Sequence, residues 1–352
     1  MGQKKALIAM SGGVDSTVAA YLAEQAGYAC VGATMRLYES PNSRTNHALD
    51  AEQVAQRLGM PFYLLDFQEE FRCHVMDAFV TDYENGLTPN PCVVCNRRLK
   101  FGALLERALE LGCDYVVTGH YARIVQNPEN GRWMLRKAVD ESKDQSYFLY
   151  GLTQEQLAHV LFPLGGLTKA EAREIAEKQG FLNAQKKDSQ DICFVPDGDY
   201  LRFMMEHTGK TYPEGDFLNL TGKIVGKHRG AVGYTLGQRK GLGLAMGEPV
   251  YVCDKDMQNN TVTVGPNEAL MHCTLRANDW FWQAVEEPKE PIRVMAKARS
   301  RMTEQPATLY PEGNGFARVE FDEPQRAITP GQAVVLYHGD VVVGGGTITE
   351  VL

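Results

Sequence analysis

The sequence predicts an α/β protein: an N-terminal open parallel sheet with flanking helices, then a small mainly-β central domain and a C-terminal β-barrel. Three observations predict it. The first half alternates short apolar β-rich runs with amphipathic helical stretches, the rhythm of a parallel sheet. A glycine pair at 12 and 13 stands between the first apolar run and the first helical stretch. From about Gly209 helical periodicity gives way to β-rich runs broken by Gly, Pro, Asn and Asp. A chain of 352 residues suits two or three domains, and the expected divisions are 1–203, 204–266 and 267–352.

In order, strands are expected at Lys5 to Met10, Cys30 to Met35, Phe62 to Asp66 and Asp114 to Thr118. Helices are expected at Val14 to Gln25, His47 to Leu58, Glu69 to Tyr83, Lys100 to Leu111, Gln154 to Leu161 and Lys169 to Gln179, the last opened by Thr168 and Glu171 as a capping box. Later strands are expected at Val250 to Cys253, Thr261 to Val264, Ile292 to Ala298, Gly315 to Phe321 and Ala333 to His338, a spacing that suits a small barrel.

The segment Ser11-Gly12-Gly13-Val14-Asp15-Ser16 between strand and helix leaves backbone N–H groups at the positive end of a helix dipole, where an anion can sit. Gly12 and Gly13 admit close approach, Ser11 and Ser16 offer hydroxyls, and Asp15 beside a phosphate is the natural magnesium ligand. A plain helix cap is the alternative, since Asp15 or Ser16 would serve as an N-cap. The pattern is neither Gly-x-x-x-x-Gly-Lys-Ser/Thr nor Gly-x-Gly-x-x-Gly. It resembles the PP-loop of the ATP pyrophosphatases, which implies an adenine nucleotide alpha hydrolase-like fold and cleavage of ATP to AMP and pyrophosphate.

The net charge of −8 means that any nucleic-acid contact must use local basic patches. No signal peptide or membrane span is expected, so eight cysteines imply reduced thiols in the cytoplasm. Cys92 and Cys95 form a Cys-x-x-Cys pair in a proline-constrained loop followed by Arg97, Arg98 and Lys100, a setting expected to lower a thiol pKa. Cys193 also lies among cations and polar residues, whereas Cys30, Cys73, Cys113, Cys253 and Cys273 read as packing residues.

Together, Ser-Gly-Gly-Val-Asp-Ser at 11–16, Thr-Pro-Asn-Pro-x-x-x-Cys-Asn at 88–96, Thr-Gly-His-Tyr at 118–121, Lys-Asp-Gln-Ser-Tyr-Phe-Leu at 143–149, Asp-Ile-Cys-Phe at 191–194, Tyr-Thr-Leu-Gly-Gln-Arg-Lys-Gly-Leu-Gly at 234–243 and Thr-Pro-Gly-Gln at 329–332 closely resemble the bacterial tRNA-specific 2-thiouridylases over the whole length. The resemblance implies an enzyme that adenylates the 2-oxygen of wobble uridine 34 with ATP and then replaces it with sulfur. AMP and pyrophosphate are the by-products. It implies nucleotide contacts from Ala9, Met10, Ser11, Gly12, Gly13, Val14, Asp15, Ser16, Met35 and Gly119, a persulfide on Cys193, and Cys95 as its nucleophilic partner, with a Cys95–Cys193 disulfide as one outcome. It implies as partners tRNAs for Lys, Glu and Gln and a sulfur donor, either a cysteine desulfurase or a relay protein.

Cys92 departs from the family, which commonly has aspartate there as a general acid or base. Cys92, Cys95 and Cys193 therefore also read as three ligands of a [4Fe-4S] cluster, an alternative to the persulfide scheme. Lys297, Arg299 and Arg301 recur with period two, and on a strand they would face one way and track phosphates. With the resemblance, Arg299, Ser300, Arg301 and Gln332 of the barrel, His120, Lys143, Asp144 and Gln145 of the first domain, and Asn90, Pro91 and Cys92 beside a flipped-out base are expected RNA contacts. Lys227, His228, Arg229, Gln238, Arg239 and Lys240 are further candidates. The rival readings are another PP-loop ligase, such as argininosuccinate synthase, or a non-enzymatic RNA- or metal-thiolate-binding protein.

Overall fold

The computed structural model describes residues 2–38, 47–181, 183 and 192–352. Strands β1 (Lys5–Ala9), β2 (Ala29–Arg36), β3 (Phe62–Asp66) and β4 (Tyr115–Val117) are followed by a hairpin of β5 (Ala122–Gln126) and β6 (Trp133–Lys137), then by the short β7 (Val160–Leu161). The N-terminal sheet has the order β3-β2-β1-β4-β7 and is parallel throughout. Ala6, Leu7 and Ile8 of β1 have no exposed surface, which explains why this strand reads as an unbroken apolar run. Because β1 pairs with β2 on one side and β4 on the other, the strand order reverses there. That is where open α/β sheets leave a ligand crevice at the carboxyl ends.

Two long helical segments pack against this sheet's core, and each carries a π-wound stretch. One runs through Gln68–Phe71, Arg72–Asp77 and Ala78–Glu84, the other through Pro91–Cys95, Asn96–Ala103 and Leu104–Glu110. The second differs from the expected loop followed by a helix from Lys100. Pro91 occupies the first helical turn, where its fixed φ is preorganised and its missing N–H costs nothing, so proline starts the helix instead of constraining a loop. Cys92 and Cys95 are thus helical. The capping box of Thr168 and Glu171 is present at the start of Lys169–Lys178.

The central region contains β8 (Gly215–Asn219), β9 (Ile224–His228), β10 (Tyr251–Asp256) and β11 (Thr261–Gly265) in the order β10-β11-β8-β9. Strands β12 (Met271–Trp282), β13 (Ile292–Lys297), β14 (Gln305–Gly313), β15 (Phe316–Arg326), β16 (Ala333–His338) and β17 (Val341–Val351) follow. They form an antiparallel barrel in the order β12-β15-β14-β13-β16-β17, closed by pairing of β12 with β17.

Sequence reading missed the β5–β6 hairpin, which joins the barrel sheet through Val341 opposite Arg136. Asp340 accepts from Arg123 (2.7 Å) and Arg136 (2.6 Å) at the same seam. Asn130-Gly131, between the two strands, was the available signal. The buried core follows the seam: Leu135 and Tyr147 share a cluster with Ala333, Val335 and Tyr337. Gly345 of β17 permits it, because a Cβ there would lie 2.5 Å from the Tyr150 ring.

Candidate active site

The phosphate end begins where β1 stops. Met10 N–H donates to Ala33 O (2.8 Å) and Met10 O accepts from Thr34 Oγ1 (2.7 Å), which fixes the point where the chain leaves the sheet. Gly12 has φ +69°, and a Cβ on it would stand 2.5 Å from His47 O, so glycine is required on both counts. Gly13 is the N-cap of helix Val14–Gln25 without any side-chain cap. Its carbonyl accepts from Thr17 N–H (3.2 Å), Thr17 Oγ1 (3.0 Å) and Ser16 Oγ (3.1 Å). Ser11 N–H donates to Ser16 Oγ at 3.1 Å. The Ser16 hydroxyl therefore builds the loop, while the first-turn amides of Val14, Asp15 and Ser16 have no intrahelical acceptors and carry the positive end of the dipole. Gly119, just past β4, closes the crevice: a Cβ there would lie 2.7 Å from the Asp15 carbonyl carbon. Ala9 and Met35 are partly buried at the ends of β1 and β2.

Asp15 is engaged. Both carboxylate oxygens accept from Lys169 Nζ at 2.8 Å, and Oδ1 accepts from Tyr121 OH at 2.9 Å. A magnesium ion fits Asp15 only if Lys169 turns away. Lys169, Tyr121 and Asn183, whose Nδ2 donates to Gly12 O (3.3 Å) and Thr17 Oγ1 (2.7 Å), were not expected from sequence. They lie more than 100 residues from the loop, and only the Thr168 cap hinted at where Lys169 sits.

At the thiol end, Cys92 and Cys95 lie one helical turn apart on one face. Both are free thiols, as is Cys193. The barrel supports this turn from outside. Gln332 Nε2 donates to Thr88 O (2.9 Å) and Pro89 O (3.2 Å), and Thr88 N–H donates to Pro330 O (2.9 Å). Cys193 is held by its backbone carbonyl, which accepts from Tyr38 OH. Tyr38 stacks on Phe71, which meets Phe194 edge-on. Asp191 of the same motif lies outside the described residues.

The thiols are not activated as the sequence led us to expect. Burial pushes Cys92 and Cys95 above the ordinary thiol range, with Lys100 only partly opposing it. Cys193 keeps exposed surface, yet packing around its sulfur, followed by the neighbouring Cys95 and Cys92 thiols, pushes it up to about 12. Arg97 gives no help, because its guanidinium pairs with Asp279 (2.5 Å) and lies over the Phe281 ring. Among the described residues, no group of three or more His, Cys, Asp or Glu side chains is arranged to hold a metal ion.

Several residues expected to face RNA turn inward. His120 is buried between Phe101 and Phe162, its Nδ1 is 2.7 Å from Thr118 Oγ1, and burial holds its pKa well below the ordinary value. Asp144 accepts from Ala138 N–H (3.0 Å) and Ser146 Oγ (2.7 Å), and Gln145 Oε1 accepts from Tyr121 N–H (2.9 Å), so both shape the turn behind the loop. Lys143 ends the short helix Glu141–Lys143. Asn90 is the N-cap before the buried Pro91. His228 is buried.

β13 ends at Lys297, so Arg299, Ser300 and Arg301 sit in a turn and do not share a strand face. Arg299 points inward and donates to Leu236 O (2.9 Å) and Thr329 Oγ1, whereas Arg301 is exposed. Period two failed here because the strand stopped two residues early.

A parallel sheet with a glycine loop at its switch point, and Gly119 packed on that loop, defines a nucleotide-binding domain of the PP-loop kind, and such domains use ATP. Family models match along the chain: the tRNA methyl transferase HUP domain over residues 4–197, the tRNA methyl transferase PRC-barrel domain over 202–266 and the aminomethyltransferase beta-barrel domain over 272–348. The chain is 46% identical to the tRNA-specific 2-thiouridylase MnmA of Clostridioides difficile, with 99% of each chain covered. It is 49% identical to the enzyme of that name from Moorella thermoacetica, covering 98% of this chain and 99% of the relative. The chain belongs to the tRNA-specific 2-thiouridylase family. Among solved structures, a 4-thiouridine synthetase–RNA complex with bound ATP matches with a TM-score of 0.36 and 16% identity, covering 55% of this chain and 45% of that one. The U34-tRNA thiolase NcsA from Methanococcus maripaludis, with its [4Fe-4S] cluster, matches with a TM-score of 0.36 and 18% identity, covering 59% and 65%.

Proposed function

We propose that this chain is a tRNA uridine 2-sulfurtransferase: it adenylates the C2 oxygen of wobble uridine 34 and replaces it with sulfur, giving 2-thiouridine, AMP and pyrophosphate. The observation that carries this reading is the family match over the full length, joined to a glycine loop whose amides face the crevice at the carboxyl ends of β1 and β4. A carbonyl oxygen is a poor leaving group, and adenylation turns it into one. Loop residues Ala9 to Ser16 with Met35 and Gly119 bind the nucleotide, and Asp15 takes a magnesium ion with it. Cys193 receives a persulfide from a donor protein, and Cys95 attacks its inner sulfur. Hydrosulfide leaves and attacks C2 of the adenylated uridine, whose C–O bond breaks to release AMP, and a Cys95–Cys193 disulfide remains to be reduced by a cellular thiol.

The RNA-facing set is Arg301, Ser300, Lys143, Asn90 and Cys92. Arg299, Gln332, Pro91, His120, Asp144 and Gln145 support it from behind. The substrates are tRNAs for Lys, Glu and Gln, and the reaction runs in the cytoplasm. Among the described residues no helix is long and apolar enough to cross a membrane.

The test is nucleoside analysis of tRNA incubated with protein, ATP, magnesium and a desulfurase with cysteine. 2-Thiouridine forms with the wild type and is absent with Cys95→Ala and Cys193→Ala. ATP consumption without tRNA modification would instead point to another PP-loop ligase.

A further inference from the structure

The ion pair at the loop has features that packing does not explain. Lys169 is the first residue of helix Lys169–Lys178, the positive end of a helix dipole, which disfavours a cation. It is also 9% exposed, and a lysine is seldom buried that deeply without a counter-charge. Its backbone is pinned, because Lys169 N–H donates to Asp140 Oδ2 (2.9 Å) while the Thr168 cap holds the turn. From there Nζ reaches back across 154 residues to both oxygens of Asp15. Asp15 itself lies in the first turn of helix Val14–Gln25, which packs directly on Lys169–Lys178. Two positive helix ends and an ammonium therefore converge beside the glycine loop, and Asp15 is the anion paired with them.

We propose that Lys169 is a ligand of the nucleotide's phosphate chain, held ready by Asp15 until ATP arrives. This rests on the ATP-dependent reading above and names a residue that reading does not contain. When ATP binds, the ammonium passes from the carboxylate to the phosphates that leave as pyrophosphate, and Asp15 is released to accompany the magnesium ion. In the adenylation step the uridine oxygen bonds to the α-phosphorus, the bond from that phosphorus to the pyrophosphate oxygen breaks, and the electron pair leaves with pyrophosphate. Lys169 balances the charge that gathers there and transfers no proton. Its role needs both a long reach and a single point charge, which lysine supplies.

The test is calorimetric binding of ATP, inorganic pyrophosphate and AMP to the full chain. Lys169→Met weakens ATP and pyrophosphate by at least tenfold and leaves AMP within twofold, while Lys169→Arg recovers part of the loss. In EDTA, Asp15→Asn has the opposite sign: freeing the lysine and removing a repelling carboxylate tightens metal-free ATP, and the double variant behaves like Lys169→Met. Equal weakening of ATP and AMP by Lys169→Met, or weaker metal-free ATP with Asp15→Asn while melting temperature is retained, would overturn the proposal and leave Lys169 a structural counter-ion. Failure of the wild-type chain to bind ATP or pyrophosphate would instead remove the nucleotide reading itself.

Discussion

The two ends of the crevice are built on different plans. At the loop end, the proposed phosphate cradle is a backbone feature, shaped by one contiguous stretch of eight residues and by glycines at 12 and 119 where a Cβ would collide with neighbouring backbone. At the thiol end the groups proposed to react are side chains from two segments about 100 residues apart, held by Tyr38 from β2's tail and by Gln332 from the barrel. The backbone of the first end is set by the fold itself, and its Asp15 side chain is paired with Lys169. The second is positioned but chemically quiet, since burial holds all three thiols protonated at neutral pH.

The largest test of this contrast removes a sulfur. Cys193→Ala abolishes 2-thiouridine formation in a nucleoside assay yet leaves ATP affinity within about twofold; a matching loss of ATP binding would mean that the two ends are not separable. Next, Gly119→Ala drives a methyl into the Asp15 backbone and weakens ATP by more than about tenfold, worth ~1.4 kcal/mol. The same calorimetry on a variant with normal affinity would show that the crevice is soft.

The quiet thiols carry a pH signature. With a pKa near 12, Cys193 is almost wholly neutral at pH 7, so its alkylation rate rises roughly tenfold per pH unit from 7 to 9 with no plateau, unlike a free thiol whose pKa is about 8.5. Site-resolved mass spectrometry of iodoacetamide adducts reads this directly, and a plateau below pH 9 would contradict the assigned burial. The smallest effects separate support from contact. Gln332→Ala and Arg299→Ala each lower stability by about 1–3 kcal/mol in denaturant melts, because they strip partners from buried carbonyls. Arg301→Ala leaves stability unchanged, weakens tRNA and flattens the salt dependence of binding. A stable Arg299→Ala with a flattened salt slope would return that arginine to the RNA surface.

What the sequence disclosed follows the same division. The glycine loop, the alternation of the parallel sheet and the capping box at Thr168 are local signals, and each stands where the residues said. Gly119 was legible because it sits just past a strand end. The failures are non-local. Lys169 and Tyr121 reach Asp15 through folding alone, and no pattern near either residue announces it. The cationic run 97–100 promised a lowered thiol pKa, but Arg97 had a better partner in Asp279, 182 residues away. His120 follows a strand end as expected, yet its ring turned into the core where desolvation governs it.

The β5–β6 hairpin sets a limit on how this protein can be taken apart. Because it is spliced into the barrel's sheet beside β17, a cut between the catalytic and barrel regions would strand it as an open edge with unpaired N–H and C=O groups, inviting aggregation. Excised halves are poor candidates for separate expression or for grafting onto foreign partners, whereas the tip at Asn127–Gly131, tied only by its own turn, is the natural place to insert a tag.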